Sequence, residues 1–339
     1  MTSHASPALE GISPAEVVRR VQPHLRSTTV IESEQLDRAI GRGIRLMLVS
    51  EIFQVTGSFK FRAAMSVALH SSAPRLLTAS SGNFGAALAA AAARTGKGCT
   101  VVMPARSAAV KVSAVRSHGA TVDLIDTSTT SRAARVAELH RLDPSAYLAS
   151  PYDDPYVIAG NSSLGWELFD LAPDRLPDLV VVPVGGGGLA SGIVVARNAV
   201  DAAVPIWGAE PLLANDAARS FRSGQLEANL ENEPPTLCDG ARTPSLGKRN
   251  WEILHPQGGA VAGRNAGLEG ILEVDDANVV AALKLLFAAA NLKAEPTGAL
   301  SVGAVLAAPE KFEGKRVACI VSGGNVDTGL YAKLITSAS

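Results

Sequence analysis

Short runs of hydrophobic residues alternate along this chain with longer alanine-rich stretches of helical periodicity. Runs without regular polar alternation are typical of strands buried on both faces of a parallel sheet. Strands separated by helices indicate right-handed βαβ crossovers, so the pattern predicts an α/β fold. The predicted strands are Ile44–Ser50, Leu76–Ser80, Cys99–Pro104, Thr121–Asp126, Leu179–Val184 and Val317–Ser322, with a helix over Phe84–Arg94 and another ending near His118.

Length and composition narrow the class of protein. The 339 residues exceed what one core usually fills, which favours two lobes, and 47% of the residues are apolar. A formal net charge of -1 gives no field that would attract nucleic acid or a membrane. No apolar run reaches the ~18 residues of a membrane span, and the first residues lack a signal-peptide pattern. We therefore expect a cytoplasmic protein with a small-molecule partner.

The cysteines carry no recognisable metal or disulfide pattern. Cys99, Cys238 and Cys319 lie far apart, without the paired spacing of a zinc site or a disulfide framework. We interpret them as small core residues, which fits a reducing compartment. Around Cys238, the segment Glu231–Gly267 is rich in Pro, Gly and polar residues and is predicted to be a long functional loop.

Three glycine-rich turns each follow a predicted strand and lead toward a helix. Ligands of open α/β sheets bind at the carboxyl ends of strands, where such turns lie. Glycine permits close approach of the backbone, whose N–H groups, together with a helix N-terminus, favour a phosphate. The turns are Ser80-Ser81-Gly82-Asn83, Gly185-Gly186-Gly187-Gly188 and Ser322-Gly323-Gly324-Asn325. We interpret the four consecutive glycines as a phosphate-binding loop.

Other phosphate-binding motifs fit the sequence less well. A G-x-G-x-x-G dinucleotide fingerprint starting at Gly186 has Ser191 where the third glycine belongs. The P-loop pattern of glycine followed by Lys and Ser or Thr is missing from the sequence. A single glycine turn often has no ligand, but three at equivalent strand ends favour a binding site.

A lysine with an unusual neighbourhood accompanies the glycine turns. Lys60 follows a Gly-Ser turn and stands between two aromatic residues, Phe59 and Phe61. A partly apolar site disfavours the charged amine, and the neutral amine is a nucleophile that forms Schiff bases with carbonyl cofactors. None of the six histidines falls within a motif, so a histidine-based triad is not predicted.

Taken together, these motifs resemble the fold-type II pyridoxal 5'-phosphate (PLP) enzymes, specifically the serine/threonine dehydratase and serine racemase family. The resemblance extends from Ile12 to about Leu334 and keeps the family's order and spacing. It implies the tryptophan synthase β-like fold, with two lobes that each hold a mostly parallel sheet flanked by helices. The motifs that carry it are TGSFKFRAA, SSGN, DDPYVIAGNSSLG, VVPVGGGGLASGI, TLCDGARTPSLG, AEPTGA and IVSGGNVD.

The resemblance implies how the cofactor is held. Lys60 would carry PLP as a Schiff base, and Phe59 would pack beside the pyridine ring. Asn83 would hydrogen-bond the phenolic oxygen, and Ser322 would face the pyridine nitrogen. The N–H groups of residues Gly185 to Leu189 would bind the phosphate. A serine at the ring nitrogen suits elimination from a β-hydroxy amino acid.

The same resemblance assigns the substrate side and a cation. Lys60 would act as a base at the α-carbon, and Ser81, Gly82 and Asn83 would receive the substrate carboxylate. Ser81 also matches the acid/base that racemases of this family use on the opposite face. The remaining match is a Mg²⁺ or Ca²⁺ site, for which oxygen ligands are suited; its ligands would be Glu210, the carbonyl of Ala214, and Asp216.

Some positions depart from the family pattern. Phe84, Ala86 and Asn161 replace a histidine and two glutamines, and Tyr152 matches the aromatic residue of many dehydratases. We expect these changes on the substrate side, with Phe84 either reshaping the pocket or packing beneath the loop. Two arginines, Arg132 and Arg135, either reach a second substrate carboxylate or stay solvated. Asp239 and Arg242 are expected near the mouth of the active site, but neither has an assigned role.

The resemblance leads to a specific expectation. A large domain would combine residues 8–67 with 153–335, and residues 68–152 would form a small mobile domain. The expected activity is an ammonia-lyase (dehydratase) reaction on a small β-hydroxy amino acid such as L-threonine or L-serine, which gives a 2-oxo acid and ammonia, in a homodimer. Alternatives are an amino-acid racemase, a β-replacement enzyme, a PLP-binding protein with little catalysis, and a nicotinamide-binding protein.

Overall fold

A computed structural model describes residues 7–230, 235–255 and 266–337. Within these ranges the chain forms ten strands and thirteen α-helices. The strands are β1 (Thr29–Ile31), β2 (Arg45–Ser50), β3 (Arg75–Ala79), β4 (Gly98–Pro104), β5 (Thr121–Ile125), β6 (Tyr147–Leu148), β7 (Leu179–Pro183), β8 (Ile206–Pro211), β9 (Gly270–Val274) and β10 (Arg316–Val321). The helices are α1 (Pro14–Val21), α2 (Glu34–Ile40), α3 (Lys60–His70), α4 (Asn83–Arg94), α5 (Ala109–Arg116), α6 (Arg132–Leu142), α7 (Pro155–Phe169), α8 (Gly188–Ala199), α9 (Asp216–Ser223), α10 (Lys248–Leu254), α11 (Asp276–Ala290), α12 (Pro296–Ala307) and α13 (Thr328–Thr336).

The strands form two separate sheets. One has six strands in the order β1-β2-β10-β7-β8-β9, and the other has four in the order β5-β4-β3-β6. Every neighbouring pair is parallel except β1 with β2. The α/β fold with two mostly parallel sheets is therefore confirmed. Both ends of each predicted strand lie within two residues of the ends of an observed strand.

Helices cover both faces of the six-stranded sheet, which explains its uninterrupted hydrophobic runs. All residues of β7 are buried, but alternate side chains enter different cores. Leu179 and Val181 pack into the core that contains α11 and α12 residues. Val180 and Val182 pack with α7 and α8 residues in the opposite core. A central strand with two dry faces needs hydrophobic residues at every position.

The four-stranded sheet lies wholly within residues 68–152, the segment predicted as a small mobile domain. The structure does not test whether that segment moves, so the division into fixed and mobile domains stays a prediction. The chain leaves the small sheet after β6 and starts α7 within seven residues. Asp154 fixes this start, because its carboxylate accepts the N–H groups of Tyr156 and Val157 and Pro155 takes the first helical position.

The segment Glu231–Gly267 contains more order than its composition suggests. Its described part includes α10, and Cys238 within it is fully buried. Residues 231–234 and 256–265 lie outside the described residues. All three cysteines are buried, as predicted for core positions. Among the described residues, no helix combines the length and apolar character needed to cross a membrane.

Candidate active site

Lys60 begins α3 at the carboxyl edge of the six-stranded sheet. The preceding residue is held there, since the Phe59 N–H donates to the carbonyl of Ser322, at 3.0 Å, just after β10. The lysine Nζ donates to the carbonyl of Pro151 at 2.8 Å. Its ammonium also lies 4.8 Å from the ring centroid of Phe59 and 5.8 Å from that of Phe84. The amine therefore stands beside the aromatic faces of Phe59 and Phe84, whereas Phe61, its other aromatic neighbour in the sequence, is buried in the core that also contains Phe84.

Surrounding protein atoms change the protonation of this amine. Burial lowers the pKa of Lys60 to about 8, although the charge of nearby Glu295 opposes the shift. A lysine with this pKa has a substantial neutral fraction near physiological pH, and the neutral form is the nucleophile and base. The site thus provides the chemical state that a Schiff-base lysine requires.

Beneath Lys60, a buried charge network holds α3. The Arg62 guanidinium is fully buried and pairs with Glu51, through Nε–Oε2 at 2.7 Å, and with Glu167, through Nη1–Oε1 at 2.8 Å. Thr28 links the same groups, donating its N–H to Glu167 and its hydroxyl to Glu51. The network joins α3, α7 and the end of β2. It therefore holds the helix that starts with Lys60 in place against these two elements.

The four-glycine turn leaves its N–H groups available. It follows β7 and leads directly into α8, whose first residue is Gly188. Among the described residues, no group accepts a hydrogen bond from the N–H of Gly186 or Gly187. Gly187 has φ +89°, a conformation that favours glycine. Free N–H groups at a helix N-terminus fit a phosphate, which agrees with the role predicted for Gly185 to Leu189.

Two buried asparagines support this loop from behind. Asn161 Nδ2 donates to the carbonyl of Gly188 at 3.0 Å, and Asn250 Nδ2 donates to that of Gly186 at 2.6 Å. The ring of Tyr152 covers Gly186, where an added β-carbon would collide with it. Our expectation that Asn161 and Tyr152 lie on the substrate side alone is therefore wrong, because both contact the glycine loop.

The turn after β3 meets the turn after β10. Asn83 accepts a hydrogen bond from Asn325 Nδ2 at 2.9 Å, and its own Nδ2 donates to Glu295 Oε1 at 2.8 Å. Ser81 is half-buried and Gly82 is exposed in the same turn. Phe84 is 1% exposed and packs in the core of the small sheet, so it lies beneath the loop while also facing Lys60.

Glu295 is a site residue that our sequence reasoning missed. It precedes α12 and is buried, and its carboxylate lies against Gly323 as well as Asn83. Burial raises the pKa of Glu295 to about 8, with the charge of Asp239 adding to the shift. The motif AEPTGA contains it, but only the fold reveals its contact with a residue 212 positions away.

The proposed cation ligands lie between β8 and α9. Glu210 is fully buried, and its carboxylate accepts the N–H groups of Ala217 and Ala218. Asp216 Oδ1 accepts Asn229 Nδ2 at 2.5 Å, while its buried Oδ2 has no partner in the described structure. Three or more His, Cys, Asp or Glu side chains do not cluster anywhere in the described ranges.

Those two carboxylates resist ionisation. Burial raises the pKa of Asp216 to about 7, and burial together with the charge of Asp216 raises the pKa of Glu210 well above its usual value. An oxygen-binding cation beside the unpaired Oδ2 of Asp216 would remove this penalty. The two carboxylates therefore fit Mg²⁺ or Ca²⁺. Ala214, whose carbonyl is the third predicted ligand, is also buried and lies two residues before Asp216.

The two arginines of α6 differ in their contacts. Arg135 is engaged by Asp123 and Glu138, both at 2.8 Å. Arg132 is exposed, and its charge opposes the rise that burial causes in the pKa of Tyr152, which places it near that ring. Asp239 pairs with Lys111 at 2.9 Å, and Arg242 lies exposed three residues further along.

This chain is similar over most of its length to known proteins. A family model described as pyridoxal-phosphate dependent enzyme matches residues 21–323. A protein named beta-hydroxyaspartate dehydratase, from Paracoccus denitrificans (strain Pd 1222), is 34% identical, covering 91% of this chain and 93% of that protein. A serine racemase from Oryza sativa subsp. indica is 31% identical, covering 93% of this chain and 90% of the relative. A solved structure of a threonine deaminase from T.th. has a TM-score of 0.83 and 37% identity, covering 93% of this chain and 97% of the other.

Proposed function

The chain belongs to the family of pyridoxal-phosphate dependent enzymes, and we propose that it is an ammonia-lyase acting on a small β-hydroxy amino acid. The reaction eliminates water across the α- and β-carbons, and hydrolysis of the product leaves a 2-oxo acid and ammonia. The observation that carries this proposal is Lys60 itself. Its amine stands between the rings of Phe59 and Phe84 and has a lowered pKa. It donates to Pro151, whose neighbour Tyr152 covers the glycine loop, and it feels the charge of Glu295, which binds Asn83.

The residues present fit the cofactor. When bound, PLP supplies an electron-withdrawing ring that stabilises negative charge at the substrate α-carbon. The free N–H groups of the glycine loop would hold its phosphate, and Phe59 would flank its ring. Asn83 and Ser322 would hydrogen-bond the phenolic oxygen and the ring nitrogen. The Asn83 amide is already oriented for this, because Asn325 and Glu295 occupy two of its hydrogen-bonding positions.

The chain's own residues account for the proton transfer. Lys60 would take the proton from the substrate α-carbon as a neutral amine. Ser81, Gly82 and Asn83 would bind the substrate carboxylate at the start of α4, where the helix dipole favours an anion. Motion of residues 68–152 over the site would exclude water. The exposed ion pair between Lys111 and Asp239 supports this closure, because it joins α5, within residues 68–152, to the segment beside the glycine loop.

Substrate identity is the finer part of the proposal, and we place a 3-hydroxyaspartate first. A relative covering nearly the whole chain is named for hydroxyaspartate, whereas our sequence analysis named threonine and serine. Arg132 supports a dicarboxylate, because it is exposed near Tyr152 and makes no ion pair among the described residues. A guanidinium in that position can bind the second carboxylate of the substrate.

Racemisation is the second candidate. Ser81 lies half-buried in the turn that leads to Asn83, and a hydroxyl there could return a proton to the face opposite Lys60. The serine racemase relative supports this possibility. The two activities differ in product, because racemisation conserves the amino acid and elimination does not.

The test of the proposal is the Lys60→Ala variant. We expect it to lose both the visible absorption band of lysine-bound PLP and the release of 2-oxo acid, because the amine that would form the Schiff base is removed. The matched control is Lys284→Ala, which removes a partly exposed lysine of α11 that bonds, among the described residues, only to the carbonyl of Ser337. Retained turnover in Lys60→Ala, or equal losses in both variants, would contradict the proposal.

A further inference from the structure

The segment 149–154 connects the two halves of the candidate site. It joins β6, the last strand of the small sheet, to α7 beside the large sheet. Within it, the carbonyl of Pro151 accepts the Lys60 amine, and the Tyr152 ring covers Gly186. The segment therefore touches the lysine and the glycine loop at the same time.

One buried side chain bonds this segment to the glycine loop. Asn250 of α10 is 0% exposed. Its Nδ2 donates to the carbonyl of Gly186 at 2.6 Å and to the carbonyl of Tyr152 at 3.1 Å. A primary amide has two N–H donors, so a single side chain satisfies both carbonyls.

The start of α10 adds a second connection between the same partners. The N–H of Gly247 donates to the carbonyl of Gly186 at 3.0 Å. On the other side, the carboxylate of Asp153 accepts the N–H groups of Lys248 and Arg249 at 3.1 and 3.2 Å. The helix that holds Asn250 is thus anchored to both the loop and the connecting segment.

The bond to Gly186 also orients the loop. The Gly186 carbonyl and the Gly187 N–H belong to one planar trans peptide and point in opposite directions. A donor on the carbonyl from behind therefore aims the Gly187 N–H toward the side where an anion would lie. Asn161 likewise donates to the carbonyl of Gly188, two residues further along, but it makes no hydrogen bond to the connecting segment among the described residues.

We propose that Asn250 is a positioning residue that couples phosphate binding in the glycine loop to the conformation of the segment 149–154. The inference rests on the proposed role of Gly185 to Leu189 as the phosphate cradle. An anion that fixes the loop peptides also fixes the amide of Asn250, and the amide then holds the Tyr152 carbonyl. Coupling of this kind is reciprocal, so restraint of the segment strengthens phosphate binding.

The test compares asparagine variants of the PLP-loaded protein. Asn250→Asp keeps the shape but removes the donors, and we expect a PLP dissociation constant about tenfold higher. We also expect a changed ³¹P resonance of the bound phosphate and faster hydrogen exchange of the amides at 152–154. Asn161→Ala should weaken PLP binding without faster exchange at 152–154. The control Asn198→Asp removes an amide donor from the carbonyl of Ala266, outside the site, and should change neither quantity.

A second measurement needs no variant. Inorganic phosphate added to the cofactor-free wild-type protein should slow exchange at 152–154. The proposal is overturned if phosphate leaves that exchange unchanged, if Asn250→Asp leaves it unchanged, or if Asn161→Ala raises it equally. The Gly187→Ala variant distinguishes failure of the Asn250 coupling from failure of the phosphate-binding role proposed for the glycine loop. If that variant binds PLP normally with an unchanged ³¹P resonance, the glycine loop does not hold the phosphate.

Discussion

Lys60 owes its chemistry to where it stands at the start of α3. The positions before it are tied to β10 by the Phe59–Ser322 backbone bond, and the amine is surrounded by protein on several sides. Desolvation disfavours the ammonium more than the nearby carboxylate of Glu295 favours it. A sequence motif therefore becomes a reactive amine only because the fold removes water from it.

The lowered pKa predicts how the cofactor-free protein captures PLP. Only the neutral amine attacks the aldehyde, so the capture rate should rise about tenfold per pH unit below 8 and then level off. Stopped-flow absorbance measures this rate, and a model lysine amide measured in parallel corrects for titration of PLP itself. A rate that still rises above about pH 10, like the model amine, would contradict the lowered pKa.

At the scale of elements, α3 is held by charges rather than by apolar packing alone. Arg62 has 0% and Glu51 has 1% of its side chain exposed, so the pair is dry. The Arg62 guanidinium satisfies Thr28, Ser163 and both carboxylates in one plane. This buried network holds α3 in one position, because any movement that separates the partners leaves a buried charge without compensation.

Loss of this arginine should therefore be costly. Arg62→Met is expected to lower the free energy of unfolding by about 3–5 kcal/mol, measured by urea denaturation. The double variant Glu51→Gln/Arg62→Met should recover part of that loss. Arg38→Met is the control, because its pair with Glu34 is 73% and 88% exposed and is expected to contribute less than about 1 kcal/mol. Equal losses in Arg62→Met and Arg38→Met would contradict the account.

The β8–α9 junction is where we propose that a cation binds. The pKa of Asp216 is raised from 3.8 to about 7, so its folded-state pKa exceeds its unfolded value. Its contribution to the free energy of unfolding is therefore lost as the pH rises from the unfolded pKa through the folded pKa. A bound cation should reverse this loss. At about 100 times the dissociation constant, Mg²⁺ should add about 2.7 kcal/mol at about pH 8 and less at about pH 6.

Thermal unfolding with and without Mg²⁺ measures the cation effect. Without the cation, Asp216→Asn should be more stable than the wild type above the raised pKa of Asp216, and it should gain little from Mg²⁺. The exposed Asp174→Asn variant should behave as the wild type does. Equal stabilisation of Asp216→Asn and the wild type by Mg²⁺ would contradict a site at this junction.

Elements of the fold differ in how far the sequence predicts them. Continuous apolar strands such as Leu179–Pro183 and their glycine turns are local patterns, and the structure confirms them. The partners of those turns are not local. Asn83 meets Glu295 and Gly186 meets Asn250 only because distant strands end at the same edge. Positions of this kind are set by topology, which is why Glu295 and Asn250 escaped prediction.

Across the whole molecule, the carboxyl ends of two parallel sheets face each other. The Asn83 turn belongs to the small sheet, whereas Lys60 and the glycine loop belong to the large one. Hydrogen bonds such as Asn325 to Asn83 cross between them. A substrate held between the sheets would contact both, so closure and chemistry would be linked in the way that we propose.

Release of 2-oxo acid from a substrate panel, by the PLP- and Mg²⁺-supplemented protein, measures whether this chain is an ammonia-lyase. The panel holds the 3-hydroxyaspartates with L- and D-serine and L- and D-threonine. We expect the strongest release from a 3-hydroxyaspartate, with that preference reduced in Arg132→Ala but kept in Arg135→Ala, since Arg135 is already paired. Inverted amino acid without 2-oxo acid from any substrate would contradict an ammonia-lyase and identify a racemase.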